Sequence, residues 1–237
     1  MSIASNYVEV EKKIQAACDR TPHRKREDVT LVAVSKLHPA SAIREAYETT
    51  PIREFGENYV QELCEKMEEL KELDIRWHFI GHLQKNKARL LLSHRPALIQ
   101  TVDSLELAQT LERIMAEIRP NEKQDVLIEV RLGDENTAKT GCPKYGLEEL
   151  SEFIARCSHL KLRGLMLVPP IEQDPQETRS WFRTMFGLAA WMNDRNDMSI
   201  LSYGMSSDFE IAIEENATCI RVGSAIFGAR PPKVVEG

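Results

Sequence analysis

Three parts of this 237-residue chain carry side chains that could do chemistry together. The first is Lys36, directly after the apolar run Thr30-Leu31-Val32-Ala33-Val34 and Ser35. An amine held at the end of such a run is partly removed from water, and desolvation disfavours the ammonium form. The neutral amine is then a nucleophile able to form an imine with a carbonyl compound. A lysine that merely reaches solvent from a strand end would look the same in sequence. The second part is Gly204-Met205-Ser206-Ser207-Asp208, ahead of a helical stretch expected over 209–215. Ser206 or Ser207 is a natural N-cap there, and a helix start offers unpaired N–H groups to an anion. Gly223-Ser224 further on permits close backbone approach. A plain cap and a packing glycine would explain either piece alone; together they point to a phosphate, without saying which. The third part is Arg221, two residues before Gly223 and so on the same face of its strand. A guanidinium inside a protein must meet an acid or face a ligand.

Other signals carry less. His78 and His82 are four residues apart, but Gly81 and a strand end lie between them, so zinc is not indicated. Lining a cofactor or packing suits His78 better. Glu57 and Glu129 could serve as an acid/base pair for phosphosugar chemistry. Neither G-x-S-x-G nor G-x-x-x-x-G-K-[ST] occurs, which leaves serine hydrolase and P-loop chemistry without support. The five cysteines, Cys18, Cys64, Cys142, Cys157 and Cys219, show no C-x-x-C spacing. They read as reduced, packed thiols of a cytoplasmic protein.

These residues need elements to position them. Short β-rich runs stand at Thr30–Val34, Arg53–Gly56, Trp77–Ile80, Leu98–Val102, Val126–Val130, Leu165–Val168, Ile200–Tyr203 and Cys219–Val222. Of these, Thr30–Val34 is continuous and apolar, as a strand buried on both faces is. Between them apolar residues recur at helical spacing: Val60, Leu63, Cys64, Met67 and Leu70; Ala108, Leu111, Met115 and Ile118; Trp181, Met185, Leu188 and Met192. Asp103 and Glu106 have the spacing of a capping box before the second stripe. A helix around Tyr7–Cys18 precedes the first strand. Eight β-then-α units predict a closed parallel (β/α)8 barrel of the TIM type, with an additional N-terminal helix. The other α/β possibility, an open doubly wound sheet, lacks a G-x-G-x-x-G after its first strand. Active sites of such barrels lie at the C-terminal strand ends, where all three chemical parts fall, and phosphate commonly sits on the last two loops.

The totals agree. The length suits one barrel, expected over 1–230, with 231–237 a loose tail. A net charge of −6 excludes nucleic acid or an anionic membrane as the main partner. The basic run Lys85-Asn86-Lys87-Ala88-Arg89 reads as a solvated helix start. No signal-peptide core and no apolar stretch of membrane-spanning length is present, so the chain is expected to be neither secreted nor membrane-bound.

The motifs Val32-Ala33-Val34-Ser35-Lys36, Phe55-Gly56-Glu57-Asn58-Tyr59-Val60-Gln61-Glu62 and Trp77-His78-Phe79-Ile80-Gly81-His82-Leu83-Gln84-Lys85-Asn86-Lys87 occur in that order. Gly164-Leu165-Met166, Gly204-Met205-Ser206-Ser207-Asp208 and Arg221-Val222-Gly223-Ser224-Ala225-Ile226-Phe227-Gly228 follow. Together they resemble the YggS/PROSC family, the pyridoxal phosphate homeostasis proteins, from about Val8 to Arg230. The resemblance implies a fold-type-III barrel like the N-terminal domain of alanine racemase, binding pyridoxal 5′-phosphate (PLP). It implies that Lys36 holds the cofactor as an imine, that Asn58 lies near the ring and that Arg221 faces the pyridine nitrogen. Ser206, Gly223 and Ser224 would bind the phosphate, with Ser207 a weaker candidate and Met205 and His78 as further lining. Tyr203 stands where the family has Met, and Asn216 where it has Gly; Asn tolerates the left-handed conformation a glycine would supply.

A cationic partner cannot accept a proton from the ring nitrogen, which weakens PLP as an electron sink. The resemblance therefore implies a PLP carrier in cofactor homeostasis, delivering PLP to apo-enzymes, without catalytic turnover and expected to be monomeric. The alternative is a PLP-dependent amino-acid racemase. Alanine racemases take their second base, a tyrosine, from a C-terminal domain of a neighbouring subunit, and no segment here is expected to build one.

Overall fold

The computed structural model describes residues 2–133, 140–170, 174–193 and 197–229. The expected tail, 231–237, lies outside them. Eight parallel strands close into a barrel: β1 (Thr30–Val34), β2 (Glu54–Glu57), β3 (Arg76–Phe79), β4 (Leu98–Val102), β5 (Gln124–Arg131), β7 (Leu160–Leu167), β8 (Ile200–Ser202) and β9 (Cys219–Val222). Pairing of β4 with β5 closes the ring, and a two-residue strand, β6 (Cys142–Pro143), lies beside the end of β5. The barrel expected from the eight β/α units is the one observed.

Period-two alternation divides each strand between two environments. Along β1, Leu31 and Ala33 join the large core between barrel and helices, while Val34 lines a cavity inside the barrel mouth. Along β3, Trp77 and Phe79 face outward into that core. Inside the barrel the apolar cluster is small, Leu98, Leu127 and Met166 with Ile200 against them. Much of the remaining interior is polar: Gln100, Ser202, His78 and Arg221 are all buried.

The surrounding helices are α2 (Ala40–Thr49), α3 (Val60–Glu69), α4 (Ala88–Ser93), α5 (Leu105–Ile118), α6 (Leu147–Arg156), α7 (Pro175–Met192), α8 (Phe209–Glu214) and α9 (Ser224–Phe227). Their apolar stripes are those expected; Leu63, Leu111 and Met185, for example, are fully buried. The α5 cap differs from expectation by one residue. Ser104, not Asp103, caps the helix through the Leu107 N–H, and Glu106 instead pairs with Lys85. Lys85 and Arg89 of the basic run both end in surface ion pairs.

The N-terminal helix α1 (Ile3–Asp19) begins at a Ser2 cap, four residues earlier than the expected Tyr7. It packs on α8 and α9, with Asn6 Nδ2 donating to the Ile226 carbonyl at 2.9 Å. No helix among the described residues is long and apolar enough to cross a membrane.

Candidate functional site

A cavity of about 440 Å³ opens at the C-terminal ends of the strands. Its lining includes Lys36 after β1, Asn58 after β2, Met205, Ser206 and Ser207 after β8, and Arg221, Gly223 and Ser224 on and after β9. Eight of the nine residues singled out from sequence thus face one space. Val34, Ile80, Met166 and Val168 supply an apolar floor and wall.

Lys36 is mounted on a buried ionic cluster. The Lys66 ammonium, on α3, donates to the Ser35 carbonyl at 2.9 Å, to Glu57 Oε1 at 2.6 Å and to Glu62 Oε1 at 2.7 Å. The Ser35 hydroxyl donates to the same Glu57 oxygen at 2.7 Å, and the Leu37 N–H donates to Glu62 at 2.6 Å. Both chain neighbours of Lys36 are therefore tied to one lysine–glutamate group. Leu37 is held at φ 64°, a conformation unfavourable for a leucine, which the surrounding bonds over-determine. Burial pushes the Glu57 carboxyl up to about 7 against the opposing pull of Lys66 and Ser35. Its other oxygen, Oε2, is buried with no hydrogen-bond partner among the described residues. Lys66 and Glu62 did not emerge from sequence as site residues; the signal was their i,i+4 spacing on α3. Glu57, considered above as a catalytic acid, is instead committed to Lys66 and Ser35.

Asn58 reaches the cavity because the chain after β3 crosses directly over it. A Cβ on Gly81 would lie 1.9 Å from the Asn58 carbonyl oxygen, so only glycine fits. The Asn58 Oδ1 is buried and has no hydrogen-bond partner among the described residues.

The loop after β8 is built differently from the expected cap. Neither Ser206 nor Ser207 caps α8; Asp208 stands at its N-cap position and its carboxylate accepts the Met205 N–H at 2.6 Å. The Ser206 hydroxyl accepts the Gly223 N–H at 3.3 Å, which joins the two loops across the cavity rim. A Cβ on Gly223 would come within 3.2 Å of the Val34 carbonyl oxygen, so a glycine lets β9 close tightly on β1.

Arg221 is 4% exposed, and no carboxylate pairs with it among the described residues. Nη1 donates to Ser202 Oγ at 2.6 Å and Nη2 to the Leu167 carbonyl at 2.9 Å. Burial pulls its pKa below the ordinary arginine value. Of the two sequence alternatives, the structural ion pair is absent and the cavity-facing position is present.

His78 does not line this cavity. It sits two residues below Ile80 on β3, nearer the opposite end of the barrel, and lines a second cavity of about 390 Å³ there. His82 lies on the surface, with Nδ1 3.3 Å from Asp103 Oδ2. Tyr203 is fully buried with its hydroxyl donating to the Glu215 carbonyl, and Asn216 adopts φ 72° as expected.

The alanine racemase N-terminal domain model matches residues 10–231. The pyridoxal phosphate homeostasis protein of Escherichia coli (strain K12) is 42% identical over 236 residues, covering 96% of this chain and 97% of that protein. That of Aquifex aeolicus (strain VF5) is 39% identical over 232 residues, covering 97% and 99%. The chain belongs to the pyridoxal phosphate homeostasis protein family. Among solved structures, PipY of Synechococcus elongatus PCC7942 with PLP bound superposes with a TM-score of 0.79 at 36% identity, covering 92% of this chain and all of that one. Alanine racemase from Corynebacterium glutamicum shares the fold, with a TM-score of 0.69 at 15% identity over 62% of its length.

Proposed function

We propose that this chain binds PLP as an imine on Lys36 and stores and delivers the cofactor, rather than turning over a substrate. The observation that carries this reading is the set of buried polar groups around the mouth cavity whose bonding is incomplete within the protein. Among the described residues no carboxylate pairs with Arg221, and Asn58 Oδ1 has no hydrogen-bond partner. A flat heteroaromatic ring with Lys36 at its aldehyde would offer its ring nitrogen as an acceptor to Arg221, with Asn58 beside the ring. Ser206, Gly223 and Ser224 would hold the phosphate, with Ser207 at the exposed rim. Bound PLP supplies an electron sink for amines, and a donor at its ring nitrogen keeps that sink weak. The five cysteines are all buried thiols, which supports a reducing, cytoplasmic setting. We propose one barrel over 1–230, acting as a monomer.

Incubation with PLP should give an imine absorbance band, and borohydride should fix the cofactor mass to the peptide holding Lys36. Lys36→Ala should show neither. The same mass on a different lysine would overturn the assignment.

The racemase alternative requires an acid or base on each face of the cofactor plane. Among the described residues no tyrosine lines the cavity, and its ionisable side chain beyond Lys36 and Arg221, His38, has its ring stacked on Phe227 at 5.1 Å. We therefore expect no alanine racemisation above that of free PLP, together with release of PLP to an apo-enzyme. Turnover in a chiral assay that vanishes in Lys36→Ala would favour the racemase.

A further inference from the structure

A single row of polar side chains crosses the barrel interior from the mouth to the opposite end. Arg221 Nη1 on β9 donates to Ser202 Oγ on β8 at 2.6 Å, and the Ser202 hydroxyl donates to Gln100 Oε1 on β4 at 2.6 Å. Gln100 Nε2 lies 2.9 Å from His78 Nδ1 on β3, and His78 Nε2 lies 2.5 Å from Glu54 Oε2 at the start of β2. Ser202 and Gln100 are fully buried, and His78 nearly so. Glu54 reaches the far cavity, where Arg76 Nε meets its other oxygen at 2.6 Å.

The two ends fix every hydrogen between them. A guanidinium only donates and a carboxylate only accepts. Ser202 must therefore accept from Arg221, which leaves its own hydrogen for the Gln100 carbonyl. The Gln100 amide then donates to Nδ1 of His78, and the imidazole proton resides on Nε2, toward Glu54. Arg221 cannot accept, so the row cannot run in reverse. Burial without a carboxylate in contact is costly for a cation, and aligned hydrogen bonds polarise one another in a low dielectric.

We propose that Ser202, Gln100, His78 and Glu54 are positioning residues for Arg221, holding its guanidinium in one orientation through a row that ends on a pure acceptor. This rests on the reading that Arg221 faces the PLP ring nitrogen. It gives His78 and Glu54 a part in the cofactor site from the other end of the barrel.

The test uses the whole chain, with and without PLP. Gln100→Leu breaks the row at its centre with little change in volume; Gln100→Glu keeps an acceptor for Ser202, and His78 then takes a second proton on Nδ1, because a carboxylate cannot donate. Glu54→Gln is a mild change at the far end. In the PLP-free protein, the Arg221 Nη–H protons should give separate, slowly exchanging NMR signals. Gln100→Leu should average them, Gln100→Glu should restore them, and Glu54→Gln should raise their exchange at least threefold. With PLP, Gln100→Leu should weaken binding about tenfold and move the ring-nitrogen 15N shift, whereas Gln100→Glu should not. Wild-type Arg221 signals in both Gln100→Leu and Glu54→Gln would overturn the proposal; should Gln100→Leu fail to fold, unchanged exchange in Glu54→Gln overturns it alone. If wild type takes up no PLP, the reading of the mouth fails, and the PLP-free signals still decide this inference.

Discussion

The two ends of the barrel hold cavities of similar size, about 440 Å³ at the mouth and 390 Å³ at the floor, yet they differ in what their polar groups have left to bond. At the floor Arg76 pairs with Glu54, and Arg163 with Asp125 and Asp197, although Arg163 Nε makes no hydrogen bond among the described residues. At the mouth, among the described residues, Arg221 has only neutral hydrogen-bond partners, Asn58 Oδ1 has none, and an ionic cluster lies beneath Lys36 rather than in the cavity. Volume does not separate a ligand site from a gap between strand starts. A buried cation with no carboxylate beside it does, because such a charge is costly unless a ligand or an extended network completes it.

This contrast can be broken most strongly at the mouth's ionic support. Lys66→Met leaves Glu57 and Glu62 without their cation, and removing one partner of a buried pair typically costs about 3–5 kcal/mol. Chemical denaturation should report a loss of that order, with weaker PLP uptake because Ser35 and Leu37 lose their anchors. A loss below about 1 kcal/mol would show that the cluster does not hold the Lys36 segment. The same cluster predicts a pH dependence. Glu57 titrates at about 7 in the folded chain against an ordinary 4.5, so the folded state holds more protons between those values. Its contribution is complete below about 4.5 and is lost as pH rises through about 7. Glu57→Gln should flatten this part of the stability profile; an unchanged slope would assign it to another group.

Smaller effects should come from the rim. Ser206→Ala should weaken PLP by roughly 1.5–3 kcal/mol, while weakening pyridoxal much less. Equal losses by both ligands would move the phosphate elsewhere. Least should happen at the floor surface. Arg76 is 62% exposed in its ion pair with Glu54, and Arg76→Ala should cost only about 0.2–1 kcal/mol on denaturation. A larger loss would mean that the floor is as finely supported as the mouth.

The order of elements and the gathering of eight candidates at one mouth were legible in the sequence for a physical reason. Strand period, helix stripes and the parallel barrel rule act locally, and the rule that sites lie at C-terminal strand ends turns order into position. Lys36, Arg221 and Gly223 could be placed from their strands alone. What escaped were groups whose meaning depends on partners far along the chain. Asp103 and Ser104 are equally good caps in sequence, and only backbone geometry chose Ser104. Ser206 looked like a cap but joins Gly223 across the rim, while Asp208 closes its own turn. Gln100 was simply a polar residue in an apolar strand, and His78 a neighbour of the mouth. The sequence by itself determined which residues face inward, because that follows from a two-residue period. The tertiary structure alone decided which inward groups meet, because Ser202 and Gln100 sit on β8 and β4, 102 residues apart, and closing the barrel brings them to 2.6 Å.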